Sequence, residues 1–321
     1  LTYQLFVEPM HVIDDMGASF QQYFIDNLEN ISEQFDNINT NIHLNSRKAT
    51  QFFLQNFLTL PEKHIAQNFR IDKQFQTDHF FNQTEFLEFE SFIQQNQRRS
   101  VLENKILYYF GRLGDGMFKH HGLKNFSTKQ LQYIQNKLII DGGAYIGDSA
   151  AIFQVYNPLK VISFDLAPQH EVMYKQTMEI LEIEESKYQF VLKGLSDQHH
   201  ETVFKFDASG TNIFSNFGTK VEMVRLDDFL INNYENDKVG FIKFDLEGAG
   251  YQAILGSLKT LVKHRPILSI AIYHSPIEFF GIIKELNEIF GDTYHYELQK
   301  HDYQQRFYIE INIVAYPKEL Q

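Results

Sequence analysis

The chain has 321 residues, 43% of them apolar, a formal net charge of −12 and no cysteine. That apolar fraction builds a core and excludes global disorder, while the acidity excludes a general affinity for nucleic acid or anionic lipid, which need clustered Lys and Arg. Without cysteine there is no disulfide, thiol catalysis or thiolate-held metal, and no apolar run approaches the ~18 residues of a membrane span and no signal peptide is legible, so the expectation is a cytoplasmic protein without a membrane span.

Residues 1–118 are expected to form a mainly helical region. In "ATQFFLQNFLTL" the positions Phe52, Phe53, Leu54, Phe57, Leu58 and Leu60 make one wide apolar face. "FQQYFIDNLENISEQF" and "FLEFESFIQQNQRRSVLENKILYYF" read the same way, with Pro61 and the Gly111–Gly116 stretch as breaks. This region suits a lid, an acceptor-recognition surface or a homodimer interface.

From residue 119 to 321 the texture is that of a second, α/β domain. "STKQ" offers a capping box, Ser127 with Gln130. The strand-like runs are "KLIID", "KVISFD", "YQFVLKGLS", "VEMVRL", "VGFIKFD", "PILSIAIYH", "YHYELQK" and "RFYIEINIVAY". Helix-length segments at 148–156, 169–183, 249–263 and 276–290 separate most of them. Continuous apolar runs alternating with amphipathic helices predict a parallel sheet covered on both faces. The last two runs lack a helix between them and predict an antiparallel hairpin at the end of the sheet. Residues 201–226 read as a local β excursion between the third and fourth main strands.

"LIIDGGAYIGDSAAIF" is a strand, a tight turn and a helix opening near Asp148. Its pattern from Gly142 is G-G-A-x-x-G, with Ala144 at the second glycine of the dinucleotide fingerprint. Asp141 at the mouth of the turn would repel a diphosphate and suit a cationic ligand. S-adenosylmethionine fits, having a sulfonium, an ammonium and a nucleoside but no phosphate. Asp165 ends the next strand, 24 residues after Asp141, where an acid can accept from ribose hydroxyls. "VGFIKFDLEG" delivers Asp245 and Glu247 at the carboxyl end of a central strand, and "PILSIAIYH" delivers Tyr273 and His274 at the end of a buried one. Ligands of open parallel sheets bind beyond those ends, which makes His274 a candidate for base chemistry.

Together "IIDGGAYIGDSA", "FIKFDLEGAGYQAILGSL" and "LSIAIYHSP" resemble the FkbM-type methyltransferases, a branch of the class I S-adenosylmethionine-dependent enzymes, over residues 105 to 316 with "HHGL" at 120–123 as a leading element. The resemblance implies a Rossmann-like, doubly wound sheet of seven strands, the last antiparallel, and methyl transfer to an oxygen of a sugar, glycan or secondary metabolite. Two positions depart from the pattern. Gly250 stands where members often carry an acid after "EGA", and the second strand ends "FDLAP" rather than Glu-Pro.

On this reading Asp141, Gly142, Gly143, Ala144, Tyr145 and Gly147, with Asp148 and Ser149 opening the helix, hold the methionine end of the cofactor. Asp165 and Leu166 hold the ribose, Leu195, Ser196 and Asp197 border the adenine, and Asp245 borders the reacting end. His274 is the first choice of base, and Asp245 orients the acceptor or takes the proton, with Glu247 beside it. No metal is expected, although Asp245 and Glu247 leave a divalent cation open. The neighbouring pairs His120–His121 and His199–His200 do not read as metal sites, because adjacent side chains diverge. Two alternatives share the glycine turn: a methyltransferase-like module without catalysis that serves binding or assembly, and a dinucleotide-dependent oxidoreductase.

Overall fold

The computed structural model describes residues 115–207, 210–212, 219–301 and 310–321, with scattered positions between 19 and 105. The described strands are β1 (Leu138–Gly142), β2 (Lys160–Asp165), β3 (Tyr188–Leu192), β4 (Gly194–Leu195), β5 (His200–Asp207), β6 (Gly210–Asn212), β7 (Thr219–Val224), β8 (Val239–Phe244), β9 (Ile267–Ala271), β10 (Tyr294–Lys300) and β11 (Ile311–Pro317). Seven of them form the main sheet in the order β10-β11-β9-β8-β1-β2-β3. Every neighbouring pair from β9 to β3 is parallel, and β11 runs antiparallel between β9 and β10. The strand order reverses at β1, so β1, β2 and β8 end around one crevice.

From residue 115 on, the described helices are α1 (Asp115–Phe118), α2 (Thr128–Ile134), α3 (Asp148–Phe153), α4 (Pro168–Ile180), α5 (Leu226–Tyr234), α6 (Gly250–Leu255), α7 (Leu258–His264) and α8 (Ile283–Phe290), the last continuing a π-helical stretch over Ile277–Ile282. The Ser127–Gln130 capping box opens α2, with both reciprocal bonds in place. Both faces of the sheet are covered, which explains the unbroken apolar strands. Leu138, Ile140, Ile162, Phe164, Ile242 and Phe244 enter one core, while Ile139, Val161 and Phe241 enter the other. Alternate residues of one strand thus serve opposite faces. The β excursion is a four-stranded sheet, β4-β7-β5-β6.

Most of the expected N-terminal helical region, including the face built on Phe52–Leu60, lies outside the described residues. Of the described part, Phe20 meets Phe279 edge-on at 6.3 Å and Tyr23 stacks on Phe280 at 5.1 Å. At the other end of that region, Met117 and Phe118 of α1 join the core beside α3. Among the described residues no helix is long and apolar enough to cross a membrane.

Candidate active site

The glycine turn leaves β1 at Gly142 and doubles back onto its neighbours. The amides of Gly143 and Ala144 donate to the Phe164 carbonyl at 3.0 and 3.1 Å. Gly143 has a φ of +83°, and a Cβ there would sit 2.0 Å from the Asp245 carbonyl oxygen. No residue with a side chain fits, and this close approach brings the first motif against the second. Gly147, also left-handed, caps the start of α3. Asp148 follows and accepts from the Ser149 amide at 3.0 Å. Its carboxylate therefore uses a first-turn donor that a bound phosphate would need.

Asp141 requires a correction. The sheet register sets it between Ser163 of β2 and Lys243 of β8. It is fully buried, 3.3 Å from the Lys243 ammonium, and accepts from the Ser163 hydroxyl at 3.1 Å. The carboxylate is thus enclosed within the sheet rather than presented at the mouth of the turn, and Lys243 balances its charge. Lys243 also donates to the carbonyls of Gly142 (3.2 Å) and Gly143 (2.9 Å), tying the turn to β8. Burial alone would strip its proton, but Asp141, Asp245 and Asp148 hold it, leaving the Lys243 pKa above the ordinary value. The sequence reading gave Lys243 no role. Its signal was a lone cation inside an otherwise apolar strand.

Asp165 stands at the end of β2 next to the turn. Its carboxylate accepts from the amides of Tyr145 and Ala167 and pairs with His170 Nδ1, each at 2.9 Å. Tyr145 is exposed and lies edge-on to His170. Leu166 packs with Ala167 against the excursion sheet. Leu195 and Ser196 are buried, and the Ser196 amide donates to Val224, so the structure sets these two inside the excursion sheet's attachment. Ser196 Oγ donates to Asp197 at 3.2 Å.

A second constellation gathers beyond the ends of β8 and β9. His274 Nδ1 meets Glu278 Oε2 at 3.0 Å, and its Nε2 faces Asp245 Oδ1 at 3.4 Å and Glu247 Oε2 at 3.6 Å. Burial favours the neutral ring, but the bond to Glu278 and the charges of Glu278, Asp245 and Glu247 outweigh it, raising the His274 pKa to about 9. With Nδ1 turned to Glu278, the buried Nε2 is enclosed by two carboxylates and is not presented to a substrate proton. The sequence reading also missed Glu278. It is fully buried, and its Oε1 accepts from the Gly250 amide at 2.8 Å. A Cβ on residue 250 would lie 2.7 Å from that oxygen, so Gly250 makes room for a carboxylate delivered from residue 278.

On the far side of the turn lies a third polar group. Ser149 Oγ bonds His121 Nε2 at 2.8 Å, and the His121 ring meets His301 edge-on at 6.1 Å. His120 bonds the Tyr156 hydroxyl instead, at 2.6 Å. The Tyr273 hydroxyl reaches Glu310 at 3.4 Å, and its ring lies 4.0 Å from that of His274. His301 and Glu310 come from the ends of the last hairpin, which nothing in their local sequence marks as part of a site.

The family described as the Methyltransferase FkbM domain matches residues 141–304, just over half of the chain. Among solved structures, the methyltransferase FkbM of Methylobacillus flagellatus KT aligns over 93% of this chain at 15% identity and a TM-score of 0.56. This chain spans 61% of that protein's length. An rRNA methylase of Streptococcus thermophilus aligns over 59% of this chain and 92% of its own at 14% identity, with a TM-score of 0.39. An O-methyltransferase of Bacillus cereus, solved with S-adenosylhomocysteine, aligns over 68% and 98% at 12% identity and a TM-score of 0.38. No curated protein matches the sequence. The first alignment shows a shared fold, and the family match over the glycine turn, the β8 motif and the His274 segment identifies the chain as a member of the FkbM methyltransferase family.

Proposed function

We propose that the crevice at the ends of β1, β2 and β8 binds S-adenosylmethionine and transfers its methyl group to a hydroxyl of a sugar, glycan or secondary metabolite. The observation that carries this reading is the contact of Gly143 with Asp245. It brings the backbone of the glycine turn, where the cofactor's methionine end would lie, against the Asp245 carbonyl at the end of β8, next to the carboxylate that would receive a proton. Asp165 would accept from the ribose hydroxyls. Family membership and the Asp148 carboxylate at the start of α3 favour this cofactor over a dinucleotide, and the buried Asp141 does not enter that choice.

The reaction is an in-line displacement. The acceptor oxygen forms a bond to the methyl carbon, the carbon–sulfur bond breaks, and the sulfonium becomes the neutral thioether of S-adenosylhomocysteine. The acceptor proton passes to the Asp245 carboxylate at the end of β8, and the fixed geometry supplies alignment. His274, held by Glu278, acts as a positioning residue for Asp245 and Glu247. Tyr273, whose ring lies against that of His274, and Glu310, which the Tyr273 hydroxyl reaches, add polar groups suited to an acceptor bearing several hydroxyls.

Calorimetric titration with S-adenosylhomocysteine tests the cofactor half. Asp165→Asn should weaken binding by about 1–3 kcal/mol, the loss of a charge-assisted acceptor. Unchanged affinity in a folded variant contradicts the ribose assignment.

A further inference from the structure

His274 has a peculiarity that proton transfer does not require. Its side chain is 10% exposed, and its Nε2 is buried together with Asp245 Oδ1. Neither atom has a hydrogen-bond partner among the described residues. The separations from Nε2 to Asp245 and Glu247, 3.4 and 3.6 Å, exceed the roughly 2.7–2.9 Å of a charge-assisted N–H···O bond. Something other than a direct bond fits between them.

We propose that Asp245, Glu247 and His274 bind one divalent cation, through the two carboxylates and Nε2. One donor atom from each residue lies within 4.8 Å of the others. Ligands about 2.1 Å from an octahedral ion sit about 3 Å apart when adjacent and about 4.2 Å apart when opposite. The separations from Nε2 to the two carboxylates, 3.4 and 3.6 Å, fall within that span. Glu278 completes the arrangement from behind, because a metal-bound histidine usually gives its other nitrogen to a carboxylate, which fixes the ring and the tautomer. Three carboxylates around a single imidazole also leave local negative charge that a divalent ion neutralises. Two oxygens and one nitrogen, without sulfur, suit a first-row ion such as Mn²⁺.

Three protein ligands leave the remaining positions of a six-coordinate ion open. If the methyl-transfer reading holds, those positions are where an acceptor oxygen would be gripped and its proton made more acidic. Metal binding itself does not depend on that reading.

The test uses the full chain, stripped of metal with chelator and titrated with MnCl₂, free Mn²⁺ being followed by its electron paramagnetic resonance signal. The expected result is one saturable site per chain, weakened about tenfold or more in Glu247→Gln and in His274→Gln, in line with the effects of disturbing ligand shells. The Glu247 side chain is 54% exposed, so Glu247→Gln should melt like the wild type and keep the test valid should His274→Gln fail to fold. Absence of saturable Mn²⁺ binding, or affinity unchanged in Glu247→Gln, overturns the proposal. Mn²⁺ binding lost in Glu247→Gln without any binding of S-adenosylhomocysteine supports the metal site while overturning the transferase reading.

Discussion

Lys243 and Asp141 show how a single residue pair can hold a site without entering it. Both are buried, at 2% and 0% exposure, and the lysine reaches two carbonyls of the turn as well as the carboxylate. Such a pair contributes little relative to an apolar replacement of both partners, but breaking it strands a buried charge. Lys243→Met should therefore destabilise the fold by about 3–5 kcal/mol in urea unfolding, whereas Lys243→Met combined with Asp141→Asn should recover most of that loss. Equal destabilisation in the single and double variants would contradict the pairing. At this scale the sequence was only half legible. The acid before the glycines was visible, but which neighbour it faced depended on the register of β8 against β1, a pairing between strands far apart in the chain. Glu278 was invisible for the same reason, since its partner Gly250 lies on a different helix.

The element that joins the N-terminal segment to the site is the π-helical stretch over Ile277–Ile282. Phe279 and Phe280 face Phe20 and Tyr23, while Glu278, the residue before them, bonds His274. Such wide turns are frequent at functional sites. A second element, the turn over His120–Asn125, carries His121 against His301 at the end of β10. Burial lowers the pKa of both rings well below the ordinary histidine value, with Lys243, His301 and His120 adding at His121, and Lys119, Lys300 and Lys243 at His301. A neutral buried histidine takes up fewer protons than its unfolded counterpart. Stability is then complete above the unfolded pKa of 6.5 and falls as the pH drops below it. Denaturant midpoints should decline between pH 7.5 and 5.5, and His301→Leu, which removes two ring nitrogens without a hydrogen-bond partner among the described residues, should flatten that decline. An equally steep decline in the variant would assign the acid sensitivity to other groups. The elements themselves were largely legible: alternating apolar runs and amphipathic segments gave the strands and helices, and the Ser127 capping box placed α2. The break between α6 and α7 and the π-helical turn were not, because tertiary contacts impose them on sequences with ordinary helical spacing.

At the scale of the whole molecule, the strand order places the ends of β1, β2, β8 and β9 in one row, and the four motifs legible in the sequence arrive there together. What the pattern could not show was the contribution of the last hairpin, which returns His301 and Glu310 to the same edge from the end of the chain. The account rests on this convergence forming one crevice for a methyl donor. Its most direct test is a crystal structure of the protein grown with S-adenosylhomocysteine. The expected density runs from the homocysteine beside Gly143 to ribose hydroxyls within hydrogen-bond reach of Asp165, with the sulfur opening toward Asp245 and His274. A ligand bound elsewhere, or a crevice that refuses S-adenosylhomocysteine and takes up NAD⁺, would contradict it.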